Sequence, residues 1–203
     1  MKPKLNAAFW KWFGDSVVRN EDGSPMVVYH TGTAGDVFNI SRCEFGCHFG
    51  VKSQLSGFKH DQHVTRPYYL SIQHPLRMPD LFVFDSLSVS YYMMYAGIIT
   101  KEYIGRIFRG EIGDEAFTAK VLRDKIQSAG YDGIVYLNRH EGVTASCPEL
   151  SDDLSDDEFK GLCPEAQDSW IILDARQAKH ASDNDGTWDA GDPNIGSNPE
   201  EPS

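Results

Sequence analysis

A single domain mixing helices with short strands is the fold class that this sequence predicts, and three observations carry it. Apolar residues recur at helical spacing at Phe117, Val121, Leu122 and Ile126. Short β-branched and aromatic runs recur at four other places, and 18 glycines and ten prolines supply the turns between them. The chain has 203 residues, 40% of them hydrophobic, which is enough for one core and too much for wholesale disorder.

In chain order, the cluster Phe9-Trp10-Lys11-Trp12-Phe13-Gly14 predicts a short helix that buries its aromatics and stops at the glycine. Asn20-Glu21-Asp22-Gly23-Ser24-Pro25 predicts a turn, and Met26-Val27-Val28-Tyr29-His30 a strand that runs straight into Thr31-Gly32-Thr33. Polar residues beside a glycine at a strand end are where backbone can approach a ligand closely. A second strand is expected over Pro67-Tyr68-Tyr69-Leu70-Ser71-Ile72, closed by His74-Pro75, and residues 88–107 have mixed helical character. The clearest helix is expected to start at an Asp114 N-cap and stop at Gly130. Strands over 131–137 and 169–174 follow, separated by a long excursion over 138–168. Its acidic stretch 151–158 reads as solvated and mobile, and residues 182–203 as a disordered acidic tail.

The net charge of −11 is unevenly placed. Residues 1–150 carry 16 basic and 16 acidic side chains, whereas residues 151–203 carry 3 and 14. A neutral body lacks the clustered Lys and Arg that phosphate binding needs, which argues against nonspecific nucleic-acid binding. No apolar run of 18 residues occurs, and the N-terminal Met1-Lys2-Pro3-Lys4-Leu5-Asn6 has no apolar signal-peptide core, so the expectation is a cytoplasmic protein with no membrane span. In that compartment Cys43, Cys47, Cys147 and Cys163 read as reduced thiols. Cys43-x3-Cys47 followed by His60-x2-His63 comes near Cys2His2 zinc spacing, but the histidine gap is shorter than usual and the expectation is no metal.

Several segments then fall in a suggestive order. They are Phe9-Trp10-Lys11-Trp12-Phe13-Gly14-Asp15-Ser16, Val27-Val28-Tyr29-His30-Thr31-Gly32-Thr33, Phe45-Gly46-Cys47-His48-Phe49-Gly50, Tyr69-Leu70-Ser71-Ile72-Gln73-His74-Pro75-Leu76, Gly130-Tyr131-Asp132-Gly133-Ile134-Val135-Tyr136 and Asp168-Ser169-Trp170-Ile171-Ile172-Leu173-Asp174. Together they resemble the ADP-ribosyltransferase domains of phage and prophage polyvalent proteins, over nearly the whole chain. The resemblance implies an α+β fold over residues 1–181, with an acidic loop at about 149–168. Its core would be a split pair of antiparallel β-sheets with flanking helices around an NAD cleft. It implies a transferase that uses NAD as substrate to modify a host macromolecule, a protein foremost, in the bacterial cytoplasm. Tyr29, His30, Thr31, Gly32 and Phe49 would then contact NAD, with Phe49 at the position whose aromatic ring stacks on nicotinamide.

One position departs from that pattern. Ser169 stands where the family places a glutamate, so Asp168 and Glu141 are the candidate catalytic carboxylates beside His30. Cleaving the nicotinamide–ribose bond builds an oxocarbenium-like charge that a carboxylate stabilises and a serine does not. An NAD glycohydrolase, or an inactive relative that binds a partner through its acidic loop, are the competing readings.

Overall fold

In the computed structural model, which describes residues 5–32, 45–55, 63–113, 117–143 and 153–196, the N-terminal aromatic run forms helix α1 (Ala7–Phe13). Asn6 caps it by accepting the Phe9 N–H, and Gly14, at φ 53°, ends it. The mixed region divides into α2 (Ser86–Tyr95) and α3 (Lys101–Phe108), capped by Asp85 and Thr100. Helix α4 (Ala119–Ser128) occupies the place expected for the clearest helix, but Thr118 is its cap. The expected cap Asp114 lies outside the described residues.

Among the described residues, seven strands form two sheets. The first has the order β1 (Val28–Gly32), β3 (Val64–Leu70), β7 (Ala178–His180); the second has the order β2 (Cys47–Phe49), β6 (Asp168–Ile172), β5 (Gly133–Leu137), β4 (Pro75–Arg77). The molecule is therefore a mixed α+β protein with a three-stranded and a four-stranded sheet. All pairings are antiparallel except β4 with β5, a correction to the expected antiparallel pair of sheets. Physically, His74-Pro75, expected to close a strand, instead opens one: β4 begins at Pro75. Proline is tolerated at a first strand residue.

Strand alternation divides the core. Ile134, Tyr136 and Ile171 face a layer containing Val89 and Met93 of α2 and Leu122 and Ile126 of α4. Val135, Trp170, Ile172, Cys47 and Phe49 face the other way, against Val28, Tyr68 and Leu70 of the first sheet. The sheets are joined where Tyr29 and Gly50 exchange backbone hydrogen bonds of 2.8 and 3.0 Å.

From residue 153 on, the acidic stretch is structured. Ser155 and Glu158 form a capping box that starts α5 (Asp156–Leu162), and three acids in its first turn suit the positive end of the helix. Phe159 and Cys163 bury against Leu137 and Ala166. Arg77 and Arg139 both pair with Asp156, at 2.6 and 2.9 Å, which ties the helix to the sheet.

The C-terminal stretch is also packed as far as residue 196; residues 197–203 lie outside the described residues. Its Asn, Asp and Gly content read as disorder because it lacks apolar runs. In the fold those residues make five side-chain-to-backbone turns, in which Asn184, Asp185, Asp189, Asp192 and Asn194 each accept the N–H two residues on, at 2.8–2.9 Å. The turns carry Trp188 into a cluster with Phe9, Trp12 and Phe13, and Ile195 into the inter-sheet core. The buried Lys179 ammonium donates to the carbonyls of Asp192 and Asn194, both at 2.6 Å, and locks the strap down.

Cys163 is disulfide-bonded, which corrects the reading of four reduced thiols, whereas Cys47 is free and buried. Cys43, Cys147 and His60 lie outside the described residues. No group of three or more metal-ligating side chains that could hold a metal occurs among the described residues, and no helix there is long and apolar enough to cross a membrane.

Candidate functional site

A cleft of about 460 Å³ lies beside the Tyr29–Gly50 junction, lined by His30 of the first sheet, by strands of the second sheet and by the segments that flank them. That volume lies in the range of small-molecule sites. Strand β1 contributes His30, β2 contributes His48, β5 and β6 contribute Tyr136 and Ser169, and the segments after β4 and β5 contribute Asp80, Phe82, Asn138 and Glu141.

His30 is held from two sides. Its Nδ1 lies 2.7 Å from the His48 carbonyl, and because a carbonyl only accepts, Nδ1 carries the proton and Nε2 is the acceptor. Burial pushes its pKa below the ordinary value against the opposing pull of that carbonyl, so the imidazole is neutral at pH 7. Gly32 makes room for the ring, since a Cβ there would lie 2.8 Å from Nε2.

The floor of the cleft is polar but uncharged. Asn138 donates to the Ser169 hydroxyl at 3.1 Å, Ser169 meets Gln54 Oε1 at 3.2 Å, and Gln54 Nε2 donates to the Gln167 carbonyl at 2.9 Å. Ser169 and Gln54 are 2% and 3% exposed, and Gly50 and Gly142 are the close neighbours that admit the Gln54 side chain. A buried amide–hydroxyl network with its bonds made thus fills the place that the resemblance gives to glutamate. Beside it, His48 meets the Tyr136 hydroxyl at 3.1 Å. Burial pushes His48 down to about 4 and Tyr136 above its usual value, so both are neutral at pH 7.

Among the described residues, two acidic side chains line the cleft, Asp80 and Glu141. Asp80 accepts the Arg139 N–H at 2.8 Å and the Phe82 N–H at 3.0 Å, one on each oxygen, so its role is to shape the backbone. Glu141 is placed by its own backbone, whose N–H donates to Asn138 Oδ1 at 2.8 Å. Asp168 is not brought to the cleft. One residue before Ser169 on a strand, it projects to the opposite face and pairs with Arg77 at 2.9 Å.

The remaining expected ligand contacts divide. Thr31 Oγ1 is bonded to Thr65 Oγ1 at 2.7 Å on the sheet, and Tyr29 serves the sheet junction through its backbone. Phe49 borders the cleft, but it is only 1% exposed and its ring packs on His30 and Tyr68, at 5.2 and 5.4 Å between centroids. It presents no open face. His48, which alternates with buried Cys47 and Phe49, was a legible site residue that sequence reasoning missed. Asp80, Asn138 and Gln54 carried no comparable signal, since each reaches a partner far away in the chain: the Arg139 N–H, the Ser169 hydroxyl and the Gln167 carbonyl. Comparison with protein-family models, with curated proteins and with solved structures gave no match.

Proposed function

We propose that the chain is an NAD-dependent ADP-ribosyltransferase whose cleft binds NAD as substrate and transfers ADP-ribose to a host macromolecule, a protein foremost. One observation carries the reading: a neutral His30 with Nε2 as acceptor and the Glu141 carboxylate line the same cleft, otherwise uncharged at its floor. In this reading His30 Nε2 accepts a hydrogen bond from a ribose hydroxyl.

The bond between ribose C1′ and the nicotinamide nitrogen breaks, and its electron pair leaves on nicotinamide. Positive charge builds on the sugar, where the Glu141 carboxylate stabilises it in a setting that screens less than bulk water. The nucleophile of the acceptor then bonds to C1′ and sheds its proton. Asp80, occupied on both oxygens by backbone N–H groups, does not compete for this role.

Incubation with NAD labelled on its ADP-ribose half, in the presence of bacterial extract, tests the reading. Label on an extract component together with free nicotinamide is the expected result. Nicotinamide release with no label transferred would make the protein a glycohydrolase. Neither release nor an NAD-dependent thermal shift would favour a partner-binding module acting through the acidic segment.

A further inference from the structure

We propose that Phe82, and not Phe49, supplies the stacking face for the nicotinamide ring, an assignment that rests on the NAD reading above. The cleft is lined by Phe45, Phe49, Phe82, Phe84 and Tyr136. Four of these are closed to a ligand, with Phe45 and Phe49 at 1%, Tyr136 at 5% and Phe84 at 6% exposure, whereas Phe82 is 72% exposed. Its backbone sits at φ 58°, a region that side chains other than glycine seldom adopt. The Asp80 carboxylate holds that bend by accepting the Phe82 N–H at 3.0 Å, while its other oxygen fixes the Arg139 N–H. The ring thus stands exposed at the cleft wall on a backbone bend that Asp80 holds.

Its position selects the nicotinamide end of the dinucleotide. Phe82 packs edge-on with His140, at 4.8 Å between centroids and 72° between planes, and His140 directly precedes Glu141. If Glu141 faces the reacting ribose, the base attached to that ribose lies next to Phe82. A flat aromatic face covering a planar base gains stacking and apolar burial together.

Calorimetric titration of NAD and of ADP-ribose, which lacks nicotinamide, into the wild-type protein, Phe82→Ala and Phe82→Tyr tests this. The alanine variant is expected to weaken NAD binding about fivefold or more, to leave ADP-ribose within about twofold, and the tyrosine variant to restore NAD affinity. Unchanged NAD affinity in Phe82→Ala overturns the proposal while leaving the NAD reading standing. Equal weakening of both ligands overturns the nicotinamide assignment in favour of adenine. A wild-type protein that binds neither ligand overturns the NAD reading and this proposal with it.

Discussion

The cleft and the buttress behind it are built from opposite materials. The cleft wall around Ser169 uses neutral groups, the Asn138–Ser169–Gln54 network and two uncharged histidines. One residue away, on the other face of β6, Asp168 joins Arg77, Asp156 and Arg139 in a cluster of ion pairs that anchors α5. Further along the chain the Trp188 strap closes the aromatic cluster at α1. The described part of the acidic C-terminal region, residues 153–196, thus packs as scaffold, and of the two proposed carboxylates Glu141, on the segment after β5, is the one that lines the cleft.

The two regions should separate under mutation. The largest effect on stability belongs to the buttress: Trp188→Ala removes a side chain 1% exposed from four-way aromatic packing and should cost about 3–5 kcal/mol in denaturant unfolding. Activity per folded molecule should persist. A variant as stable as the parent would show that the strap does not hold the fold.

Acid should act on the cleft. His48 has a folded-state pKa of about 4 against 6.5 unfolded, so the unfolded chain takes up its proton first as pH falls. The stability that neutral His48 contributes is whole above pH 6.5, declines as pH falls toward 4, and amounts to up to about 3 kcal/mol. His48→Phe should flatten unfolding stability measured between pH 7 and 4, and an unaltered profile would assign the loss to other groups. His30→Ala should raise the NAD dissociation constant about fivefold, from loss of about 1 kcal/mol of hydrogen bonding, with a much smaller change in stability. Smallest of all, Asp168→Asn should leave the rate within about twofold and cost at most about 1 kcal/mol, because its ion pair with Arg77 is partly exposed. A large fall in rate would return Asp168 to the site.

Legibility followed the range of the forces involved. Helix α1, the β1 run into Gly32, and the cores of β5 and β6 were readable because periodicity and turn residues are local signals. The strap was misread because Asn, Asp and Gly signify disorder unless something long-range, here Lys179 and the α1 aromatics, gives their turns a place to dock. At the site, Asp168 and Glu141 were both candidates in the sequence, with Asp168 at the matching strand entrance. Asp168 pairs in register with Leu137 and bonds Arg77 on the face of β6 opposite Ser169, a placement set by strand pairing and a distant arginine. Phe49 had the right residue type in the right motif, but its face of β2 is the core face, which only the pairing with β6 reveals.

In the proposed reaction Glu141 stabilises the positive charge that develops as NAD is cleaved in this cleft. Nicotinamide release from NAD by the wild-type protein and by Glu141→Gln, with bacterial extract present and NAD binding measured alongside, addresses it most directly. Release by the wild type and a fall of about a hundredfold or more in the variant, with affinity little changed, is the predicted result. Release at the parental rate by Glu141→Gln, or none by the wild type with any extract, would contradict the account.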